Sequence, residues 1–432
     1  MRFSFSGRVL GVTAITSPPG HSSDGQPRTV GFRGVTMGTN RSAAWVIGVS
    51  LASALAAGSA QAQSCLASAR TSEKATASNR DYTFDSTGHA VDARGVTWAN
   101  IRDHALFTDG SPGCWSGGNI DGPYPEDAVY ECSSEHGYSG GTCWDYHTTA
   151  GIQIHSGTPT VIEDLRIADY GDGVDVAEDA GDVVIRRGYF SNLHDDTVED
   201  DWGTHSVTVE DSLFERVFMG LAFKRRSGAS ACRSGRVFEL RNSLVQLHRF
   251  TNAYKQKAGH GGLFKDDEGC MPEFRVTDNV FLMGPVAGSG QVQFPIVGKT
   301  TECRNNVLLW QGTLSAYEDM LDTGDSSDAG SNRERLDWLN RSFNNCYTVI
   351  VKPASQSAAD FLAQRWTPRV AQWKSSHAAA GGTPAPEPDP VPDPDPVPDP
   401  DPEPTPEPDP EPTPEPTPDP VPGAPQEPIL LP

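Results

Sequence analysis

Val207–Phe214 reads VTVEDSLF, Phe238–Val245 reads FELRNSLV and Phe274–Phe281 reads FRVTDNVF. The same eight positions recur at Thr301–Leu308 (TECRNNVL) and Arg341–Thr348 (RSFNNCYT). Val183–Phe190 (VVIRRGYF) fits with Arg and Gly in the polar places, and Ile162–Ile167 (IEDLRI) fits after a one-residue deletion. The shared order is apolar, variable, apolar, polar, Asp or Asn, Ser or Asn, apolar, apolar. A strand alternates its faces with period two. The Asp/Asn-Ser/Asn pair breaks that alternation and marks a tight bend, because these residues tolerate left-handed backbone angles. The second apolar pair then starts another strand around a corner. Successive bends lie roughly 23 to 40 residues apart, as expected for one coil plus loops of variable length. Short strands with a polar corner predict a parallel β-helix, an all-β solenoid, rather than helical repeats.

Outward from this repeat, residues 1–36 resemble no domain, and a start at Met37 gives a better reading. Arg41 supplies a positive end, Ala44–Ala57 an apolar stretch and Ala60-Gln61-Ala62 a small-residue cleavage site, so 37–62 is expected to be a secretory signal peptide. The apolar run is short for a membrane anchor. Cys65 invites lipidation, but Ala62 is not the large aliphatic residue that signal needs. All eight cysteines lie in the exported part, which favours disulfides. The repeat register pairs Cys303 with Cys346 and Cys232 with Cys270. Cys132 and Cys143 bracket one loop, leaving Cys65 and Cys114.

From Thr383 onward Pro alternates with Asp, Glu, Thr or Val, with thirteen of the 57 acidic residues and no Lys or Arg. Residues 378–432 are therefore expected to be a disordered, extended acidic tail reaching through the cell envelope or toward a partner. Ala354–Trp366 reads as a short amphipathic helix, expected to cap the open end of the solenoid. The β-helix domain is 63–377. The formal charge of −23 makes nucleic acid and anionic membranes poor partners.

A second strand recurs in each coil and aligns by its Gly or Asp lead-in: Gly171–Val176, Asp195–Asp201, Gly220–Arg226 and Gly261–Asp267. Stacked at about 4.8 Å, equivalent positions form columns. One is expected to run Val174, Val198, Phe223, Phe264 and point inward. Its neighbour runs Asp175, Glu199, Lys224, Lys265 and points outward. A third runs Asp172, Asp196, Leu221 and then Gly262 or Leu263. An acidic floor of Asp172, Asp175, Asp195, Asp196, Glu199, Asp200 and Asp201 thus meets a basic step. Like charges this close need neutralising, by Ca²⁺ or by Lys224, Arg225 and Arg226; a surface ladder of ion pairs is the plainer alternative. The loop Cys114–His147 carries Trp115, Tyr124, Tyr130, Tyr138, Trp144, Tyr146 and His147. It is read either as a wall that stacks on sugar rings or as a disulfide-tied cover for the solenoid.

The coil pattern over roughly 90–350 resembles the right-handed parallel β-helix, or pectin-lyase-like, superfamily of secreted proteins, many of which act on acidic polysaccharides. Polygalacturonase-type hydrolases carry Asn-Thr-Asp-Gly, Asp-Asp, Gly-His-Gly and Arg-Ile-Lys. Asp172-Gly173 is similar to the first and Asp195-Asp196 to the second, while Phe218-Met219-Gly220 replaces the third and Leu263-Phe264-Lys265 keeps only the final Lys. That resemblance implies an inverting hydrolase using Asp172, Asp195 and Asp196. Polysaccharide lyases of this fold use Ca²⁺ or basic side chains to neutralise a uronate, and a Lys or Arg as base. That resemblance implies Lys224 as base, Arg225 or Arg226 assisting, and Asp175, Glu199 and Asp200 holding the metal; Trp115, Trp144 and Tyr146 of the aromatic loop, with Lys265, are expected to meet substrate. The leading expectation is a secreted, Ca²⁺-assisted polysaccharide lyase; the hydrolase and a non-catalytic glycan-binding surface protein are the alternatives.

Overall fold

The computed structural model describes residues 64–68, 72–74, 82–84, 90–101, 106–109, 113–124, 149–155, 157–223, 232–248, 261–265, 270–285, 292–324 and 330–377. They form an all-β parallel solenoid with a few helices. Two sheets are present, of nine and fourteen strands, and every pairing between named strands is parallel. In the first sheet Thr160–Glu163, Val183–Arg186, Val207–Glu210, Val237–Arg241, Glu273–Thr277 and Thr300–Arg304 stack in chain order. The second half of each repeat lies beyond the corner, as Tyr189–Glu199, Leu213–Ala222, Leu244–Leu247, Val280–Met283, Asn306–Trp310 and Tyr347–Val351. Each stacks on the next, so one ribbon winds on itself.

The bends fall where the repeat puts them. Asp164, Arg187, Asp211, Asn242, Asp278, Asn305 and Asn345 all have positive φ, between 47° and 66°. Asp and Asn tolerate this region because a short polar side chain hydrogen-bonds locally. The following position has a second task that the bend alone does not explain. Ser212, Ser243, Asn279 and Asn306 are at most 1 % exposed and hydrogen-bond from coil to coil. Gly188 N–H donates to Ser212 Oγ, Ser212 N–H to Ser243 Oγ, Ser243 N–H to Asn279 Oδ1 and Asn279 N–H to Asn306 Oδ1, at 2.9–3.2 Å. The same side chains donate to backbone carbonyls of Glu210, Arg241, Leu240 and Val276. Polar groups that break the strand are thereby satisfied inside the solenoid. The last repeat position points inward, and Phe190, Phe214, Val245, Phe281 and Leu308 form one column of the core.

A second corner was not foreseen. Asn100, Asp169, Asn192 and Arg216 also have positive φ. Beyond it lies a third run of strands: Leu106–Asp109, Ala150–His155, Asp172–Val176, the far ends of Tyr189–Glu199 and Leu213–Ala222, and Phe264–Lys265.

The C-terminal helix is two helices, Ala358–Arg365 and Thr367–Ser376, and they do not close the end of the core. Phe361, Trp366, Val370 and Trp373 pack instead with Leu213, Leu282 and Leu309, alongside Tyr189, Leu244, Val280 and Val307. Five of those residues occupy the seventh repeat position, whose outward face is apolar for this reason. Trp373 Nε1 donates to the Asp211 carbonyl, fastening the helix to a corner. The expected capping contacts come from Leu314–Leu321 and Asn332–Ser342, which give Tyr317, Met320, Leu321, Leu336 and Leu339 to the main core beside the last coil.

Cys65–Cys114, Cys232–Cys270 and Cys303–Cys346 are disulfides with Cα atoms 5.1–5.6 Å apart, the expected pairs. The bond leaves Cys65 no thiol for lipidation. The expected Cys132–Cys143 pair, the signal peptide and the acidic tail lie outside the described residues. Among the described residues no helix is long and apolar enough to cross a membrane.

Candidate functional site

The third run of strands gathers the acidic residues. In Asp172–Val176, Val174 and Val176 join the core and Asp175 alternates away from them. Gly173 permits close approach of the next coil: a Cβ there would lie 2.4 Å from the Thr197 carbonyl oxygen. The approach brings Asp196 N–H to Asp172 Oδ1 at 2.9 Å and Asp195 N–H to the Gly171 carbonyl at 2.9 Å. Asp172, Asp195 and Asp196 each present one carboxylate oxygen, all within 4.8 Å of one another. The three residues are 2 %, 9 % and 0 % exposed. Asp196 Oδ2 accepts from Lys265 Nζ at 2.5 Å, while its buried Oδ1 has no hydrogen-bond partner.

The register corrects the sequence-based columns. Val174 pairs with Val198, Val198 with Leu221 and Leu221 with Phe264, so Leu221, not Phe223, continues the inward column. The outward column is Asp175, Glu199, Ala222, Lys265, and Ala222 stands where Lys224 was expected. Asp196 pairs with Met219 rather than Leu221. The small side chain of Ala222 has a consequence: Lys265 reaches back past that coil to Asp196. The expected base, Lys224, and its neighbours Arg225 and Arg226 lie outside the described residues, as do Trp144 and Tyr146.

The electrostatics follow from burial and crowding. Burial, then the charges of Glu199, Asp195 and Asp196, push the Asp172 carboxyl well above its usual range. Burial, then Asp196 and Asp201, do the same to Glu199, and Lys265 only partly offsets this. For Lys265 burial works against the charge, but Asp196, Asp195 and Glu199 outweigh it and hold its pKa well above the ordinary lysine value. Lys265 is therefore a fixed cation, suited to neutralising an anion and unsuited to taking a proton. His194, beside the Asp pair, donates Nε2–H to the Tyr124 carbonyl at 2.7 Å, and burial lowers its pKa to about 4, so it stays neutral.

Two expected site residues belong elsewhere. Asp200 is 1 % exposed and fully engaged: Oδ1 accepts from Trp202 N–H, Gly203 N–H and His205 Nδ1, and Oδ2 from Arg236 at 2.9 Å. It braces the turn after Glu199, and the expected metal set of Asp175, Glu199 and Asp200 does not converge. Trp115 is completely buried, with its indole N–H on the Gly117 carbonyl, and Tyr124 is buried too. Neither ring is open to a sugar: Cys114–Ser116 and Asn119–Asp121, in the described part of that stretch, are strands of the solenoid's own coils. Hard carboxylate oxygens do fit a divalent cation, but the trio that meets is Asp172, Asp195 and Asp196. Comparison with models of protein families, with curated proteins and with solved structures finds no match to this chain.

Proposed function

We propose that this acidic face is the active site of a secreted, right-handed β-helix enzyme that hydrolyses glycosidic bonds in an acidic polysaccharide. The handedness follows the rule that a strand, crossover and parallel strand in one sheet wind to the right in nearly all proteins. Secretion is supported by the leader-like segment before Cys65 and by the three disulfides. The observation that carries the activity is the asymmetry within one cluster. Burial and its neighbours push the Asp172 carboxyl well above its usual range, while Asp196 is ion-paired to Lys265. Groups whose environments push their protonation states apart are an acid and a base in waiting. Asp172 would give its proton to the leaving oxygen as the bond to the sugar breaks. Asp195 would attack the anomeric carbon as that bond breaks, water would then displace Asp195 from the sugar with Asp172 taking the water's proton, and Lys265 would meet the substrate's carboxylate. The three Asp oxygens approach more closely than the roughly 6.5–9.5 Å at which inverting enzymes hold a water between two carboxyl groups. The trio therefore favours retention of anomeric configuration over the inversion expected from sequence.

The same trio supports a second reading, a Ca²⁺-assisted lyase. A cation at Asp172, Asp195 and Asp196 would relieve the repulsion that raises the Asp172 pKa, and would take the Asp196 oxygen that has no hydrogen-bond partner among the described residues. Bound there, it would supply charge to a uronate. The position abreast of Glu199 is Ala222, and Lys224, the base this reading expects, lies outside the described residues.

A screen over uronate-containing glycans separates these readings. Hydrolysis gives new reducing ends without near-ultraviolet absorbance, and Asp172→Asn should lower the rate by at least ~100-fold. An absorbing, unsaturated product abolished by chelator would establish the lyase instead. Retention on a glycan column with neither product would leave a binding protein.

A further inference from the structure

The two C-terminal helices lie over the apolar outer face, and the end of the second is tied to a corner of the solenoid. Thr367–Ser376 closes on His377 as its C-cap. His377 Nδ1 lies 2.7 Å from the Trp373 carbonyl oxygen, and Nε2 lies 3.1 Å from Asp211 Oδ2. The donors can be assigned. A carbonyl oxygen accepts only, so Nδ1 carries a proton. A carboxylate accepts only, so Nε2 carries one too. Only the imidazolium has both. Ser376 Oγ, 3.0 Å from Nδ1, gives its own proton to the Trp373 carbonyl. The charge is also well placed, because the ring stands at the negative end of the helix. Trp373 completes the tie. Its Nε1 donates to the Asp211 carbonyl at 3.1 Å, and its ring stacks on the imidazole with centroids 4.2 Å apart. One corner residue thus holds the helix end through both its main chain and its side chain.

We propose that His377 is a proton-dependent latch: the doubly protonated ring pins the last helical turn to Asp211, and loss of one ring proton releases that turn from the corner. Among the described residues two charged groups act on the ring. Asp211 is in direct contact, and Arg187, at the same corner one coil earlier, opposes the charge while bonded to Asp164 and Glu163. On the helix itself, Lys374 pairs with Glu215 and lies over the Tyr189 ring. Burial works against the imidazolium, but the bonds to Asp211 and to the Trp373 carbonyl outweigh it, and the pKa of His377 is raised above the ordinary histidine value. The latch is therefore fully engaged below about pH 6.5 and is lost as pH rises through the native value. The release is local, since Phe361, Trp366 and Val370 stay packed with Leu213, Leu282 and Leu309. His377 is the last described residue before the Pro-rich acidic stretch, so the latch decides where that stretch is anchored. None of this depends on the hydrolase reading.

The test uses the full chain labelled with ¹⁵N in His and Trp, and no ligand. The His377 ring signals, identified by their loss in His377→Gln, should show two ring protons at the acid end and a midpoint above the ordinary value. The Trp373 indole signal should shift with the same midpoint, and in His377→Gln it should stay level across that range. Asp211→Asn keeps the main-chain carbonyl and suits the positive φ of the corner. It should move the His377 midpoint to lower pH. The Trp310 indole, bonded to the Thr313 carbonyl, should not move in any of these chains. A Trp373 signal that holds still while His377 loses its proton would overturn the latch. So would a His377 midpoint untouched by Asp211→Asn, or a Trp310 signal that follows the same curve, because the whole fold would then be changing.

Discussion

Two rows of buried polar side chains run along this solenoid, and they are built on opposite terms. At the first corner Ser212, Ser243, Asn279 and Asn306 accept from the backbone of the preceding coil; the serines donate to carbonyls of their own coil and the asparagines to carbonyls of the preceding one. On the third face Asp172, Asp195, Asp196 and Glu199 crowd like charge against like charge, with Lys265 as the one described cation bonded to the trio and an Asp196 oxygen without a partner. A parallel stack repeats whatever a position carries at every coil. Neutral residues that both donate and accept extend such a row without penalty, whereas acids only accept and accumulate repulsion. The corner row is therefore structural, and the acidic row carries a repulsion that a proton or a cation relieves.

The largest expected effect comes from breaking the satisfied row. Asn279→Ala strands the Ser243 N–H and the Leu240 carbonyl and removes a donor from Asn306 Oδ1. Each orphaned buried group costs about 1–3 kcal/mol, so urea unfolding should show a loss of about 3 kcal/mol or more. The acidic row should respond in the opposite direction. Asp172→Asn keeps an acceptor for Asp196 N–H while removing a charge that burial and neighbours oppose. It should fold, be more stable than the parent at pH 7 because the raised pKa opposes the charge it removes, and lose the proposed activity. If Asp172→Asn were less stable than the parent, the acidic row would be a structural ion-pair network.

The corner row was legible because it repeats in sequence: Asp211-Ser212, Asn242-Ser243, Asp278-Asn279 and Asn305-Asn306 share one pattern, and all four bends are where that pattern puts them. What the sixth position does inside the fold was not legible, since a turn residue and a ladder residue use the same amino acids. The acidic strand was legible in composition but not in register. Gly220 and Lys224 resemble the lead-ins of neighbouring coils, and aligning on them slides the strand by two residues. A two-residue slip preserves the alternation of faces, so Phe223 still reads as core and Lys224 still reads as outward. The slip was invisible because the register shifts between Leu193 and Asp196 and again between Phe214 and Val217. The second corner, at Asp169, Asn192 and Arg216, carries no common string to find.

The pH dependence of stability should divide along the same line. Asp172 and Glu199 have pKa values raised above their unfolded ones, so above about pH 4 the native state holds more protons than the unfolded chain. Stability then falls as pH rises through the native pKa values. Glu163 lies on the other side. Burial acts to raise its pKa, but Ser64, the Cys65 N–H and Arg186 together lower it, so its contribution is present above its unfolded value and is lost as pH falls through the native one. Thermal unfolding should therefore show a maximum on the acid side of neutrality. Asp172→Asn should flatten its alkaline limb and leave its acid limb unchanged. Added Ca²⁺ should raise the alkaline limb if the trio binds a cation, and calorimetry on Asp196→Asn should then lose that heat.

The smallest effect is expected where charges stack in the open. Arg241 pairs with Glu210 and Glu239, and Arg304 with Asp278 and Glu302, in a ladder on the outside of the first sheet. These pairs are as numerous as the acidic contacts of the third face, and a count of charges would rank them together. Water decides otherwise. The Arg241 side chain is 46 % exposed, so its attraction to Glu210 is screened and offset by the entropy of holding two long side chains. Arg241→Ala should cost less than about 1 kcal/mol, and less again in high salt. A larger loss would mean that the outer ladder carries coil-to-coil stability, and the acidic face could then no longer be singled out by its charges alone.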